Sequence, residues 1–243
     1  MSNPTAAMLV IGDEILSGRT RDANMFYLAN ALTEVGIDLK EVRVVSDDKG
    51  AIISAVQSLS QSFGSVFTSG GIGPTHDDIT ADCVAEAFGV GIDVRQDAYD
   101  VMAAHYIAQG SEFTETRMRM ARIPDTATLI DNPVSIAPGF KIENVHVMAG
   151  VPKIFEAMVA SVLPTLTGGV PLKSQTYRID QGEGAVATPL RALADKYSDL
   201  SIGSYPFQKN GAYGTNIVIR GGDEAKVTQA MSELMAIFPN NGA

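Results

Sequence analysis

The sequence holds a single cysteine, Cys83, so no intrachain disulfide can form, and nothing in it asks for an oxidising compartment. It also lacks any apolar stretch approaching the roughly 18 residues that a membrane helix needs. The first apolar run, Ala6 to Ile11, is short, has no basic flank and passes straight into Gly12-Asp13-Glu14, unlike a signal-peptide core. Clusters of positive charge are missing too: lysines and arginines are scattered, the formal net charge is −10 and the sequence pI is near 4.7. A surface of that sign repels polyphosphate backbones, so no nucleic-acid partner is expected. These absences predict a soluble cytoplasmic protein with no membrane association. There is no Walker Gly-Lys-Ser/Thr, no CxxC pair and no HExxH spacing.

What remains is an ordinary globular composition, 45% hydrophobic and 19% charged over 243 residues. That length suits one large domain, or a medium domain and a small one. Up to about residue 165, strand-like and helix-like segments alternate. Ala7–Ile11 reads as a strand buried on both faces. Asp22–Val35 carries Met25, Leu28, Leu32 and Val35 at helical spacing, with Gly36 as its C-cap. Ile37–Val45 returns to strand, Lys49–Phe63 to helix, Ser65–Thr68 to strand and Thr80–Phe88 to helix, with Cys83 on the apolar face. Residues 95–122 read as helical, strands lie around Thr128–Ile130 and Val145–Met148, and Gly150-Val151-Pro152 opens an amphipathic helix. Such alternation implies a mostly parallel sheet covered by helices on both faces. Pro164 to Lys173 reads as a boundary. Beyond it come a strand (Gln175–Ile179), a helix from about 189 to 197 with Thr188 as N-cap and Pro189 first, two strands (Leu200–Ser204 and Gly214–Arg220) and a helix (Asp223–Phe238).

Ligands in parallel sheets bind at the carboxyl ends of strands, and three polar clusters follow strands here. The strongest is Gly70-Gly71-Ile72-Gly73-Pro74-Thr75-His76-Asp77-Asp78. Glycines directly after a strand let backbone N–H groups approach an anion, and the next helix N-terminus adds a favourable dipole. The plainer reading is a tight turn that uses glycine only for its dihedrals. Asp77 and Asp78 sharpen the choice. As helix caps they would be unremarkable, but beside an anion they repel it by roughly 4 kcal/mol for charges about 4 Å apart. A divalent cation bridging carboxylate and phosphate removes that conflict. Asp13-Glu14 and Asp47-Asp48 carry the same ambiguity. Asp47 or Asp48 can simply cap a helix, and Thr20, Asp22 and Asn24 read as N-cap residues. Of the histidines, only His76 lies in a candidate site; His105 reads as surface and His146 as structural.

These motifs, with Asn132-Pro133, Ala137-Pro138-Gly139 and Gly150-Val151-Pro152, stand in the order seen in molybdopterin-binding-like domains. The chain resembles the amino-terminal half of CinA-type competence/damage-inducible proteins and the corresponding domain of eukaryotic FAD synthases. More distantly it is similar to the MoaB/Mog proteins of molybdenum cofactor synthesis. The resemblance implies a three-layer α/β/α fold over residues 1–167, a small α+β domain over 172–243, and a homo-oligomer. It implies ligand contacts by Gly12, Ser69, Gly70, Gly71, Gly73, Pro74, Thr75, His76, Asn132, Pro138, Gly139 and Gly150. Asp47 and Asp78 match acids used near metal and phosphate and are the expected catalytic residues. Asp13, Glu14, Asp77 and Asp78 are the expected ligands of a magnesium, manganese or cobalt ion. The expected activity is metal-dependent hydrolysis of a diphosphate such as ADP-ribose or FAD. The alternatives are a non-catalytic module for a pterin phosphate or nucleotide, and adenylyl transfer to molybdopterin. Met148-Ala149-Gly150 stands where CinA relatives carry Leu-Pro-Gly, and Thr116–Arg122 departs from their Asn-Arg-Lys-Gln run.

Overall fold

The computed structural model describes residues 3–209 and 211–239; the ends of the two expected domains, residues 1–2 and 240–243, lie outside that range. The chain forms two compact units, Met1–Gly169 and Val170–Ala243. In chain order the first holds β1 (Thr5–Ile11), α1 (Asp13–Leu16), α2 (Asn24–Glu34), β2 (Asp38–Val45), α3 (Lys49–Ser62), β3 (Ser65–Ser69) and α4 (Thr80–Phe88). It continues with β4 (Ile92–Val94), α5 (Gln96–Ala108), α6 (Glu115–Met118), a 3-10 turn (Arg119–Ala121), β5 (Arg122–Pro124), β6 (Thr128–Ile130), β7 (Gly139–Ile142), β8 (Val145–Met148) and α7 (Pro152–Val162). The second unit holds β9 (Lys173–Ile179), α8 (Glu183–Lys196), β10 (Ser201–Lys209), β11 (Ala212–Gly221) and α9 (Glu224–Ile237). Among the described residues no helix is long and apolar enough to cross a membrane.

The main sheet has the order β2-β1-β3-β8-β7-β6. Strands β2, β1, β3 and β8 run parallel, and β7 is antiparallel to both its neighbours. Strand β1 shows why the fold has three layers. Ala7, Leu9 and Ile11 pack on one face with Ile52, Val56 and Leu59 of α3, Val84 of α4 and Met102 of α5. Ala6, Met8 and Val10 pack on the other with Leu28 and Leu32 of α2 and Phe155, Met158 and Val159 of α7. An unbroken apolar run satisfies both faces at once. After β1 the chain turns to the α2 face, whereas after its neighbour β3 it turns to the α4 face. That divergence opens a crevice at the carboxyl ends of the two strands. In the second unit β10-β11-β9 is antiparallel, and Ile179, Ile217 and Ile219 pack with Val186 and Leu193 of α8 and Val227 and Leu234 of α9.

Two expectations need correction. Residues 95–122 are not one helix. Gly110 takes φ +65°, its N–H donates to the Ile107 carbonyl at 3.0 Å, and the Ser111 N–H returns to the Tyr106 carbonyl at 2.9 Å. This paired ending stops α5, and Phe113 then folds back to stack on Tyr106 at 5.3 Å. Helix α8 begins at Glu183, so Thr188 is no cap and Pro189 lies inside the helix. A proline there forfeits one i→i−4 hydrogen bond. Burial of Val186 and Leu193 with Leu190 alongside outweighs that loss. Strands β4, β5 and β7, three or four residues each, were not read from the sequence.

His146 sits in β8 at 1% exposure, its ring stacked on Phe67 at 4.9 Å and its Nδ1 without a partner among the described residues. Burial, and secondarily the Lys141 charge, lower its pKa from 6.5 to about 4. The imidazole is therefore neutral in the fold, while the unfolded chain binds a proton below pH 6.5. Its contribution is fully present above about pH 6.5 and drains as pH falls towards 4, by about 3 kcal/mol in all. Relative to wild type, a His146→Leu variant should gain about that much stability between pH 6.5 and pH 4 in urea denaturation. Parallel curves for the two proteins would show that the histidine is not held neutral.

Candidate functional site

The crevice is a cleft of about 630 Å³ at the carboxyl edge of the sheet. Its floor is the Gly70 loop. The Gly70 N–H donates to the Met148 carbonyl at 3.1 Å, and at φ +112° a Cβ on Gly70 would lie 2.2 Å from the Ile11 carbonyl oxygen. Only glycine lets the loop pass between the ends of β1 and β8. Gly71 takes φ +69°, a Cβ there would meet Thr80 Oγ1 at 2.1 Å, and its carbonyl accepts the Thr80 N–H at 3.0 Å. These two glycines meet a structural demand. The loop also has a second property. Among the described residues the N–H groups of Gly71, Ile72 and Gly73, which line the cleft, find no acceptor. The same holds for Gly150 and Val151, Gly150 lying against Gly70. Consecutive unpaired amides at a concave surface form an anion-binding nest.

Acids share the space. Glu14, Asp47, Asp77 and Asp78 line the cleft. Neither Asp77 nor Asp78 caps α4, whose N-cap position, Ile79, has no side-chain hydrogen bond. Thr75 engages both instead: its N–H donates to Asp78 Oδ2 at 2.8 Å, and its hydroxyl oxygen lies 2.5 Å from Asp77 Oδ1 and 2.6 Å from Asp78 Oδ2. One hydroxyl proton serves one of these at a time, so the two carboxylates face each other undercompensated. The Thr75 hydroxyl, with a backbone N–H, holds the Asp77 carboxyl below its ordinary pKa, keeping the negative charge in place. The ambiguity at Asp47-Asp48 resolves cleanly: Asp48 caps α3 by accepting the Ala51 N–H at 2.8 Å. Asp47 accepts the Asp13 N–H at 3.0 Å and faces the cleft.

The other expected residues separate. Gly12, Pro74, Asn132 and Gly150 line the cleft with the loop glycines, whereas Asp13, Ser69, Thr75, His76, Pro138 and Gly139 do not. Ser69 is buried, and its Oγ accepts from Asn24 Nδ2 at 2.7 Å. The His76 side chain is 98% exposed. Pro138 lines an adjoining hollow, and a Cβ on Gly139 would lie 2.4 Å from the Val147 carbonyl oxygen, so that glycine serves the sheet. Asn132 uses all four of its hydrogen-bonding positions on its own loop, donating to Ser135 Oγ and the Ala137 carbonyl and accepting from the Val134 and Ser135 N–H groups. It holds that loop in shape and leaves Ile136, a β-branched residue, at φ +68°. Such strain persists only where the surroundings enforce it.

Asn24, read as a helix cap, has another task. Asp22, one residue before the N-cap position Ala23, accepts the Met25 N–H at 2.9 Å, and Asn24 is buried, bridging Ser69 Oγ and the Gly150 carbonyl at 2.7 Å each. Its Oδ1 and Thr80 Oγ1 are buried without a partner among the described residues. Nothing local marks Asn24; only the nearby strand ends reveal its role. Among the described residues no three acids, histidines or cysteines converge as a ready metal cage. The expected set Asp13, Glu14, Asp77 and Asp78 is therefore not a preformed site. The cleft acids nonetheless present hard oxygen donors, which suit an ion held by one or two carboxylates together with phosphate oxygens and water.

A glycine-loop cleft at the carboxyl edge of a mostly parallel sheet defines an α/β ligand-binding domain. The family model described as "Probable molybdopterin binding domain" matches residues 7–168, and "FAD synthase, middle domain" matches residues 171–243. The chain belongs to the molybdopterin-binding domain family, and its second unit is similar to the FAD synthase middle domain. A protein of Saccharolobus islandicus is 32% identical over 210 residues, covering 83% of this chain and 80% of its own. A "Probable FAD synthase" of Caenorhabditis elegans is 34% identical over 261 residues, covering 96% of this chain and 50% of its own, so the chain spans half of that protein. The solved structure of the protein CinA from Thermoplasma acidophilum matches with a TM-score of 0.61 and 32% identity over 67% of this chain and 97% of that one.

Substituting Gly71 tests the floor of the cleft. Gly18 also has positive φ, +72°, but nothing lies near its Cβ position. Gly18→Ala should therefore cost only the conformational term, about 1 kcal/mol. Gly71→Ala adds the Thr80 clash and should cost at least about 2 kcal/mol in urea denaturation. Equal costs would mean that the Thr80 hydroxyl gives way freely.

Proposed function

We propose that the first unit binds the diphosphate of an adenine dinucleotide such as ADP-ribose or FAD in this cleft and hydrolyses it with the help of a divalent cation. The observation that carries the reading is the row of unpaired N–H groups at Gly71, Ile72 and Gly73 in the wall of the cleft. Amides left to water in the free protein are donors that phosphate oxygens can take. The similarity to a "Probable FAD synthase", and of the second unit to the FAD synthase middle domain, supports a flavin- or adenine-type dinucleotide. In hydrolysis the oxygen of water bonds to one phosphorus, the bond from that phosphorus to the bridging oxygen breaks, and the bridging oxygen leaves on the other phosphate. Asp47 takes the proton of the attacking water in this reading: one carboxylate oxygen holds the Asp13 N–H, and the other has no partner among the described residues. The Gly71–Gly73 amides hold the phosphate against the wall, and Thr75 orients Asp77 and Asp78. A magnesium, manganese or cobalt ion held by Asp78 with Asp77 or Glu14 would neutralise the phosphate charge and polarise the phosphoryl group.

Asp47→Asn keeps an acceptor for the Asp13 N–H but cannot take a proton. It should leave the melting temperature in place and lower turnover at least about tenfold, on the order of 1.4 kcal/mol in the barrier. Asp78→Asn should lower turnover similarly, with the loss eased at high metal concentration. Chromatography of nucleotides after incubation with ADP-ribose or FAD, with each metal and with EDTA, reads both variants. Tight binding that persists in EDTA and yields no AMP would leave a binding module, and binding of a pterin phosphate alone would favour the molybdenum cofactor branch.

A further inference from the structure

The cleft that the diphosphate reading assigns to a ligand has a charge deficit. Its lining carries Glu14, Asp47, Asp77 and Asp78 and, among the described residues, no lysine, arginine or histidine, on a chain of formal net charge −10. Amide nests supply only partial positive charge. A full cation at the rim would offset the repulsion without a reorganisation of the loop.

Next to the cleft lies a second hollow, which shares Ile72, Gly73, Asp78 and Met120 with it and is bounded by Arg119 and Arg122. The arginines of this segment differ in what they already hold. Arg122 is paired with Asp82, and Arg117 lies over the Tyr106 ring at 4.4 Å and donates to the Glu112 carbonyl. Arg119 is exposed, and its guanidinium meets no hydrogen-bond or ion-pair partner among the described residues. Its backbone is nonetheless anchored. It begins the 3-10 turn Arg119–Ala121, Ala121 is fully buried, and the Ala121 carbonyl accepts the Arg95 N–H at 2.9 Å. Met120 packs against the core beneath. Asp78, the acid in the shared wall, is already engaged by Thr75. An anchored backbone carrying an unengaged guanidinium beside an acid-lined cleft suits recognition of a phosphate, and the planar guanidinium fork matches two phosphate oxygens.

We propose that Arg119 is a phosphate-binding residue of this cleft, its guanidinium taking diphosphate oxygens across the wall that Gly73 and Asp78 share. The assignment rests on the diphosphate reading, and calorimetry on the full chain with ADP-ribose and with inorganic pyrophosphate, each with magnesium, separates the two. Arg119→Ala should weaken both ligands by the same factor, roughly tenfold or more, with an unchanged melting temperature because the side chain holds nothing in the free protein. Arg119→Lys, which keeps the charge without the fork, should fall between. Wild type that binds both ligands while Arg119→Ala binds them equally well would overturn the role of Arg119 alone. A loss confined to ADP-ribose would place the arginine on the nucleoside and overturn the phosphate contact. Wild type that binds neither ligand would overturn the diphosphate reading and this assignment with it.

Discussion

One buried amide holds the cleft together. Both protons of Asn24 Nδ2 are used, on Ser69 Oγ and on the Gly150 carbonyl, so a single side chain ties the start of α2 to the ends of β3 and β8. Each bond contributes only about 1 kcal/mol net, but leaving the buried Ser69 hydroxyl unmet would cost about 1–3 kcal/mol. With those ends fixed, Gly70 is clamped between the Ile11 and Met148 carbonyls. The amides of Gly71, Ile72 and Gly73 can then face the cleft without collapsing onto a protein acceptor. The unmet Oδ1 of Asn24 is a cost carried beside the site, where unsatisfied groups in native structures concentrate.

The second constraint is electrostatic. Anion-seeking amides and four carboxylates share one surface. Among the described residues the acids are too dispersed to form a metal cage of their own. An arrangement of this kind is stable when empty, because water solvates the carboxylates. Under the diphosphate reading we propose, phosphate and a cation arriving together would each remove the repulsion that the other would meet. Thr75 keeps Asp77 and Asp78 oriented, and the fully used Asn132 holds the loop through Ile136 at positive φ, with Asn132, Ser135 and Ala137 lining the cleft.

Much of the fold was legible from local pattern. Thr80–Phe88 is helical over the expected residues. Gly36 ends α2 at φ +70°, with N–H groups of Gly36 and Ile37 returning to the last turn, and Asp223 caps α9 through the Ala225 and Lys226 N–H groups. The candidate site was legible as segments but not as contacts. Sequence placed Asp47 and Asp48 under one description, and the structure gives one to the helix and the other to the cleft. It set Ser69, His76 and Gly139 beside the ligand, where none lines the cleft, because motif adjacency along the chain says nothing of which way a side chain leaves the backbone.

From the sequence alone came the strand–helix alternation, the apolar run that must be covered on both faces, and the glycine loop at a strand end. These depend on interactions within a few residues or on burial period, and both are written locally. Tertiary structure alone decided that Asn24 bridges two strands, 45 and 126 residues away from it along the chain. It also decided that Gly71 is required by Thr80 and that Arg119 stands unpaired beside the acids. Those outcomes turn on which distant groups arrive within 3 Å of one another, and no local period encodes that.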